Sequence, residues 1–382
     1  MDRHHGAALL DQAFTRAAGA SLVVGNSAQL LRDGAENYPQ WLRAIHGAQR
    51  YICVENFIFH EDPVGAQFAT ALSERARAGV EVRLIFDWLG CLGKASKHFW
   101  RPLIDAGVLV RCFNRPRATH PILWLQRDHR KLLAVDGELG FISGLCIGKA
   151  WLGDPARGIA PWRDTGVAIR GPALADMDSA FAEVWAASQP VAGTAGAIPA
   201  AALLPFDPSE RVPPHRQPPR PEAAAGDVTL RVVATTPGTM AVLRLEQLIA
   251  ATAHRTLWLT DAYFAGIPPY IQALRAAAQD GVDVRLLVPG TSDISILRPL
   301  SQAGYRPLLE GGVRVFEWKG SMLHAKTAVA DGRWARVGSS NLNIASWVGN
   351  YELDALIENE PFALQMEQMF ETDLADSTEV VL

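Results

Sequence analysis

The chain has 382 residues, of which 49% are hydrophobic and 20% charged, so it can bury a large core and is neither a disordered chain nor a coiled coil. Its length is typical of two or three domains. The formal net charge of -4 argues against a protein whose overall charge is adapted to bind nucleic acid. Only six of the basic residues are lysines, so a lysine in a special position is informative.

The N-terminus and the cysteines both bear on the compartment. No apolar run in residues 1–26 approaches the roughly 20 residues that cross a bilayer, and the region lacks the pattern of a signal peptide. We therefore predict no membrane span. The cysteines stand singly, without a CxxC pair, which favours small buried side chains in a reducing compartment over a zinc site or disulfides. They are Cys53, Cys91, Cys112 and Cys146.

Helical patterns alternate with short apolar runs along the chain, which predicts α/β layers with helices covering a largely buried sheet. The predicted strands of the first half are YICVENFIF, VRLIF, LVRCF and KLLAV. Those of the second half are TLWLTDAYF, VRLLV, RVFEW and KTAVA.

A basic stretch runs from Lys94 to Lys131, where nine basic residues face only Asp105 and Asp128. It predicts a surface that faces an anionic membrane or substrate, with a solvated charge set as the alternative. Within it, residues 121–125 (PILWL) predict either an interfacial wedge or a buried strand.

Residues 190–226 predict a linker, because they hold nine of the 24 prolines and cannot carry a packed core. The linker separates an N-terminal lobe, residues 1–189, from a C-terminal lobe, residues 227–382. Glycine turns recur in the two lobes at offsets of about 200 residues, which indicates a duplication.

The motif HxKxxxxD occurs once in each lobe. It comprises His129, Lys131, Asp136 and His324, Lys326, Asp331. On a strand, residues i and i+2 point to the same face, so each histidine projects with its lysine. If the lobes pack around a pseudo-twofold axis, two imidazoles and two ammonium groups converge on one pocket. Two ammonium groups suit a phosphate, and two imidazoles suit the nucleophile and general acid of a two-step transfer.

Other polar residues near the motifs are candidates for supporting roles. Ser339 and Asn341 would add donors to phosphate oxygens. Asp164 and Glu352 are candidates to hold an imidazole nitrogen and fix its tautomer, with ordinary surface or capping acids as the alternative. No carboxylate cluster indicates a catalytic metal, so the lysines are expected to supply the charge stabilisation.

These residues closely resemble the phospholipase D superfamily, which is defined by paired HxKxxxxD motifs. The resemblance covers nearly the whole chain outside the linker and is sharpest toward bacterial cardiolipin synthases of the B type, which lack N-terminal membrane spans. It is carried by RDHRKLLAVDG, WRDTGVAIRGPAL, DAYF, GVDVRLLVPGTSD and MLHAKTAVADG. It implies two tandem α/β/α sandwich lobes, related by a pseudo-twofold axis, with the active site between them.

The resemblance also implies an activity. A phosphatidyltransferase would pass a phosphatidyl group through a phosphohistidine intermediate to an alcohol, making cardiolipin from phosphatidylglycerol, without a cofactor or metal. Phosphatidylethanolamine or another alcohol would be a further substrate. The protein would be cytoplasmic and peripheral to the anionic inner membrane, with no nucleic-acid partner.

Carried over residue by residue, the six motif residues form the catalytic set. His129 would be the nucleophile and His324 the general acid and base, while Lys131, Lys326 and Asn341 would grip the phosphate. The motif aspartates would support strands and turns rather than touch substrate.

The sequence departs from the family pattern in three places. Cys146 stands where an asparagine is usual, with Ser143 as a partial replacement donor to the phosphate. Asn343 and Ala345 stand where the synthases carry Asp and Arg. The stretch GLCIGKAW lacks the acidic residues that often follow the first motif. The rate and the choice of acceptor are therefore expected to differ from those of a standard synthase.

The sequence leaves three alternatives open. One is a hydrolytic phospholipase D that releases phosphatidic acid. A second is a nuclease, because the same motif pair cleaves nucleic-acid phosphodiesters. A third is a non-catalytic lipid-binding protein, which Cys146 motivates.

Overall fold

The strands form a mixed sheet whose order reads the same from both ends. The computed structural model describes residues 3–116, 126–191, 224–294 and 297–382. Within them, strands β1 to β8 are Val23–Arg32, Tyr51–Asn56, Glu81–Asp87, Leu109–Phe113, Lys131–Val135, Leu139–Ser143, Thr165–Arg170 and Gln189–Pro190. Strands β9 to β16 are Val228–Thr235, Thr256–Asp261, Asp283–Pro289, Arg314–Trp318, Lys326–Ala330, Trp334–Gly338, Glu352–Glu358 and Ser377–Val380.

The order of the strands is β16-β12-β11-β10-β13-β14-β15-β9, followed by β1-β7-β6-β5-β2-β3-β4-β8. Each strand of one half thus has a counterpart in the other, β2 with β10 and β5 with β13 among them. β2, β3 and β4 are parallel neighbours, while β5 runs antiparallel to β2. The second half repeats this arrangement with β10, β11, β12 and β13. The strand topology of the first half thus recurs in the second half, in agreement with the predicted pseudo-twofold duplication.

Each of the eight predicted strands overlaps one observed strand. β5 and β13 are buried along their whole length, which is typical of strands covered on both faces. Helices α1 to α5 are Arg3–Ala18, Asp33–Gly47, Pro63–Arg77, Lys97–Asp105 and Leu174–Ala187. Helices α6 to α10 are Ala241–Thr252, Pro268–Gln279, Leu297–Ala303, Tyr305–Glu310 and Glu360–Ala375. The prediction of α/β lobes is confirmed.

Three cores hold these layers together. One contains residues of α5, α10 and strands of both halves, among them Phe181, Val167, Leu353 and Phe370. A second lies within the first half and a third mainly within the second. The shared core makes the interface between the halves a packed interior.

Helix α1 packs on the second half, although β1, the strand that follows it in the chain, belongs to the first half. Its side chains Phe14 and Ala18 belong to the core of the second half, and Asp11 forms an ion pair with the buried Arg231. Residues of α1 belong to the predicted N-terminal lobe, residues 1–189, but pack against the second half. Most of the proposed linker, residues 192–223, lies outside the described residues, and its boundaries stay a prediction.

The register defines which ends of the strands lie together. Lys131 at the start of β5 pairs with Asn56 at the end of β2, and Thr165 at the start of β7 pairs with Arg32 at the end of β1. The carboxyl ends of β2, β3, β4 and β6 therefore lie at one edge with the amino ends of β5 and β7. We call this the site edge of the first half; the corresponding ends of β10 to β15 form that of the second.

Candidate active site

Both motif histidines and lysines lie buried at the site edges. Lys131 is the first residue of β5 and Lys326 the first of β13, and each histidine precedes its lysine by two residues. The histidines are 7% and 5% exposed, and both lysines 1%. The four side chains thus come from the same position in the two copies of the repeat.

His129 is held by a carboxylate of the other half. Its Nδ1 lies 2.9 Å from Glu352 Oε2 and 3.1 Å from the carbonyl oxygen of Ser339. Since both partners are acceptors, Nδ1 carries the proton and donates it, which leaves Nε2 with its lone pair for chemistry. The ring edge of Phe57 packs against the imidazole at a centroid distance of 4.9 Å.

His324 is held in the same way by the first half. Its Nδ1 lies 2.7 Å from Asp164 Oδ2. The rings of Trp151, Trp162 and Tyr263 surround the imidazole at centroid distances of 5.5, 5.6 and 5.7 Å. Each histidine therefore depends on a carboxylate from the opposite half, and neither half contains a complete pair.

The backbone follows the same crossed arrangement. The His129 amide donates to the Tyr351 carbonyl at 2.9 Å, and the Tyr351 amide donates to Arg127 at 2.8 Å. In the second half, the His324 amide donates to the Arg163 carbonyl at 2.7 Å. The residue before each carboxylate is thus hydrogen-bonded to the histidine it serves, which fixes carboxylate and imidazole relative to each other.

Each carboxylate has its own side-chain donor, which the sequence analysis missed. Trp151 Nε1 donates to Asp164 Oδ2 at 2.8 Å, and Ser346 Oγ donates to Glu352 Oε1 at 2.6 Å. Trp151 lies five residues after Cys146, and Ser346 five residues after Asn341, so the two donors occupy equivalent positions of the repeat. An indole and a hydroxyl have no common sequence signature; only this register could have revealed them.

Neighbouring charges and burial shift the pKa values of the titrating groups in the site. Burial and the two lysines lower the pKa of His129 and bring that of His324 to about 4, although the carboxylate beside each ring acts in the opposite direction. Lys131 acts on His324, and Lys326 on His129, although each lysine belongs to the other half. The four groups therefore lie in one electrostatic environment.

The pKa values of Lys326 and of the two carboxylates are shifted as well. Burial lowers the pKa of Lys326 to about 8. Burial raises the pKa of Asp164 and Glu352, but each histidine and its lysine outweigh it, and both pKa values end below normal. The carboxylates are therefore ionised at neutral pH and can stabilise a protonated imidazole.

The motif aspartates lie at the opposite end of their strands. Asp136, which follows β5, accepts hydrogen bonds from the amides of Gln49, Arg50 and Tyr51 at 2.7 to 2.8 Å. Asp331 accepts from three amides just before and at the start of β10, and both aspartates adopt positive φ values, 56° and 55°. We correct their inclusion in the catalytic set, since their carboxylates anchor β2 and β10 away from the histidines.

The proposed phosphate donors differ in their availability. Ser339 Oγ donates to Glu352 Oε2 at 2.6 Å, and Ser143 Oγ to the Leu145 carbonyl at 3.5 Å. These hydroxyls thus have protein partners, and we revise their role as phosphate donors. Asn341 is 5% exposed, and its Oδ1 has no hydrogen-bond partner among the described residues, so its role as a phosphate donor stays a proposal.

Cys146 lies at the position equivalent to Asn341. It is 1% exposed, and burial raises the pKa of its thiol, which keeps it protonated. All four cysteines are buried and free, as predicted. No described group of three or more His, Cys, Asp or Glu side chains has the arrangement of a metal site.

The basic stretch before the first motif is only partly a surface. Arg127, Arg130 and Lys131 are buried, so the predicted charge is not all available to a partner. Lys94, Lys97, Arg101 and Arg115 are exposed. Residues 121–125, predicted as a wedge or a strand, lie outside the described residues. Within the described ranges, no helix combines the length and apolar character needed to cross a bilayer.

Comparison with solved structures identifies the fold. The fold matches the crystal structure of phosphatidylserine synthase from Haemophilus influenzae with a TM-score of 0.74, over 97% of this chain and 92% of that one, at 14% sequence identity. At this identity the likeness shows a common fold. The architecture of two similar halves is thus a fold already known from that structure.

Comparison of sequences identifies the family. Residues 41–152 and 245–374 match the family described as "Cardiolipin synthase, PLD-like domain". Cardiolipin synthase A of Pseudomonas aeruginosa is 31% identical over 373 residues, 96% of this chain and 71% of that protein. Cardiolipin synthase 1 of Bacillus cereus is 28% identical over 380 residues, 97% of this chain and 71% of that protein. The chain belongs to the PLD-like cardiolipin synthase family.

The predicted membership of the phospholipase D superfamily and the likeness to cardiolipin synthases are therefore confirmed. The finer likeness to the B type stays a prediction.

Proposed function

We propose that the protein is a phosphatidyltransferase that makes cardiolipin from phosphatidylglycerol. The observation that carries this proposal is the pair of buried histidines, each held at Nδ1 by a carboxylate of the opposite half and each accompanied by a lysine. Membership of the family gives the substrate class, and the site gives the chemistry.

In the first step, His129 Nε2 attacks the phosphorus of phosphatidylglycerol. A nitrogen–phosphorus bond forms, the bond to the glycerol oxygen breaks, and His324 gives its Nε2 proton to the departing glycerol. The pKa of His324 is about 4 in the free protein, and the entering phosphate anion raises it because it favours the imidazolium. Asp164 stabilises that imidazolium through Nδ1.

In the second step, an alcohol enters where glycerol left. His324 takes the proton from the hydroxyl of a second phosphatidylglycerol, whose oxygen attacks phosphorus and breaks the bond to His129. The product is cardiolipin and both histidines return to their starting state. Lys131 and Lys326 stabilise the charge on the phosphoryl oxygens in both steps, and the Asn341 amide adds a donor.

Hydrolysis is the competing outcome of the same site. If water takes the place of the alcohol, the product is phosphatidic acid. Burial of the site favours transfer, because a dry pocket disfavours reaction of the intermediate with water. Phosphatidylethanolamine is the further substrate that we propose. The protein would meet these lipids at the cytoplasmic face of an anionic membrane, to which it binds peripherally.

Product analysis tests the proposal. Vesicles of headgroup-labelled phosphatidylglycerol should yield free labelled glycerol and cardiolipin, and His129→Ala and His324→Ala should each lower the rate at least about 1000-fold. The exposed His46 provides a matched control, since His46→Ala should act as wild type. Phosphatidic acid as the main product would make the protein a hydrolase. No turnover of any phospholipid, or degradation of DNA that requires His129, would reject the proposal.

A further inference from the structure

The lysines of this chain all lie at one edge of each half. Lys131 and Lys326 start β5 and β13 and belong to the site. The four others follow strands that end at the site edges, and all four are exposed. They are Lys94 after β3, Lys97 at the start of α4, Lys149 after β6 and Lys319 after β12.

Exposed apolar side chains concentrate on the same loops. Of the twelve large hydrophobic residues that are exposed in the described part of the chain, seven lie between the end of a strand at a site edge and the next element. They are Leu89, Leu92, Leu152, Ile159, Ile294, Ile344 and Val348. The most exposed of them are Leu92 at 56% and Ile344 at 54%. We call these seven residues and the four lysines the mouth rim.

The loops of the mouth rim leave the site edges of both halves. The site edges of the two halves meet where His129 binds Glu352 and His324 binds Asp164. Loops that leave both edges therefore stand around the one site between them. The rim comes from both halves, with Lys94, Leu92 and Lys149 from the first and Ile344 and Lys319 from the second.

We propose that the mouth rim is the surface with which the protein docks on an anionic bilayer, its leucines and isoleucines entering the interface and its lysines contacting lipid phosphates. This deepens the proposed function, because a substrate with two acyl chains must reach a buried phosphate site from the membrane. Bulky apolar side chains between lysines fit an interface that is apolar below and negatively charged above.

The charge of the rim differs from that of the chain. The described parts of the loops at the two site edges, with the first residue of α4, carry six exposed basic residues, the four lysines with Arg115 and Arg157. Besides the buried Asp128 and Asp164, the described parts of these loops carry four acidic side chains that are at least partly exposed, Glu61, Asp62, Asp154 and Asp293. Three of them accept hydrogen bonds from the protein, as Asp62 does from the amides of Val64, Gly65 and Lys149. The rim is thus basic in a chain whose formal net charge is -4.

Vesicle binding tests the proposal in the His129→Ala background, so that the result does not depend on turnover. With vesicles of phosphatidylcholine and phosphatidylglycerol, the double variants L92E/I159E and K94E/K149E should each weaken co-sedimentation by at least about tenfold. Added salt should weaken binding of the parent protein. Matched controls away from the site edges are Leu364→Glu on α10 and Arg77→Glu at the end of α3, which should bind as the parent does.

Two further measurements separate the possible outcomes. In the active protein, turnover of a short-chain phosphatidylglycerol below its micelle concentration should be the same in the rim variants as in wild type, which shows that they fold. Vesicle binding by the rim variants equal to that of the controls would overturn the proposal. So would a wild-type dimer that the rim variants convert to monomer without loss of vesicle binding, since the rim would then be covered by a second copy. Vesicle binding without turnover of any lipid would reject the proposed function and leave the docking surface intact.

Discussion

At the residue scale, the site consists of two chains of contact that end at the Nε2 atoms. One runs from Ser346 through Glu352 to His129, and the other from Trp151 through Asp164 to His324. The outer members, Ser346 and Trp151, bind the carboxylates and not the imidazoles' Nε2 atoms, so they act by holding each carboxylate against its imidazole Nδ1. We assign Ser346 and Trp151 as positioning residues on this geometry.

Removing either outer donor should slow the reaction without unfolding the protein. Trp151→Phe keeps most of the packing around Asp164 but loses the indole N–H, and Ser346→Ala loses the hydroxyl on Glu352. We expect kcat to fall about 10- to 100-fold with little change in KM. Steady-state kinetics and a melting curve check this. A fall in melting temperature with unchanged kcat would mean that these residues serve only stability.

The pH dependence should reveal the buried lysine. Its pKa is lowered to about 8 by burial, so the Lys326 ammonium is present below that pH and is lost as the pH rises through it. Since the charge supports the phosphate, kcat/KM should fall above about pH 8. Below neutrality, His129 stays neutral to a lower pH than an ordinary histidine, because burial lowers its pKa.

The variant Lys326→Arg provides the test of that assignment. A guanidinium stays charged at every pH of the assay, so the alkaline fall should move upward or disappear, even if the maximal rate is lower. An alkaline limb at the same pH in the variant and in wild type would assign it to another group.

At the element scale, the conserved spacing within the repeat is explained by strand length. Each of the five-residue strands β5 and β13 begins with the lysine at the site edge and ends just before the aspartate at the other end. Asp136 and Asp331 each accept hydrogen bonds from three backbone amides, two just before the neighbouring strand and one from its first residue. The aspartate therefore fixes where β2 or β10 begins, and through the ladder it fixes which residue stands beside the lysine.

Loss of either aspartate should lower stability more than it changes the chemistry. Asp136→Ala leaves three backbone amides unpaired. It also places alanine, which rarely adopts a positive φ, at a position where φ is 56°. We therefore expect the free energy of unfolding to fall by about 2–4 kcal/mol. Asp136→Asn keeps an acceptor and tolerates this φ, and should lose less. Denaturant unfolding of both variants compares them; equal losses would contradict the anchoring role.

The sequence predicted the elements with a local signature and missed those that depend on distant contacts. The eight predicted strands are short runs of apolar residues, and the two motifs are fixed spacings of rare residues. The packing of α1 on the second half involves Phe14 and Asp11 in an unremarkable helix, and no local pattern indicates their partners. The crossing of Glu352 to His129 and of Asp164 to His324 is likewise a property of the interface.

At the scale of the whole molecule, the halves are joined by charge as well as by apolar packing. Arg163, beside Asp164, binds Asp373 of α10 at 2.8 Å and Asp33 at 3.2 Å, all within the interface. Arg130, beside His129, donates to the carbonyl oxygens of Glu352 and Thr235 at 3.1 and 2.9 Å. Both arginines are adjacent in sequence to site residues, so the contacts that join the halves also align the site.

The central claim is that one histidine of this two-half site carries the phosphatidyl group between donor and acceptor. Rapid acid-free quenching of the enzyme with acyl-labelled phosphatidylglycerol, followed by peptide mass spectrometry, measures this directly. We expect a phosphatidyl adduct on the peptide that contains His129, absent in His129→Ala and reduced in Glu352→Gln, whose altered side chain belongs to the other half. An adduct on His324 instead, or wild-type turnover in His129→Ala, would contradict it.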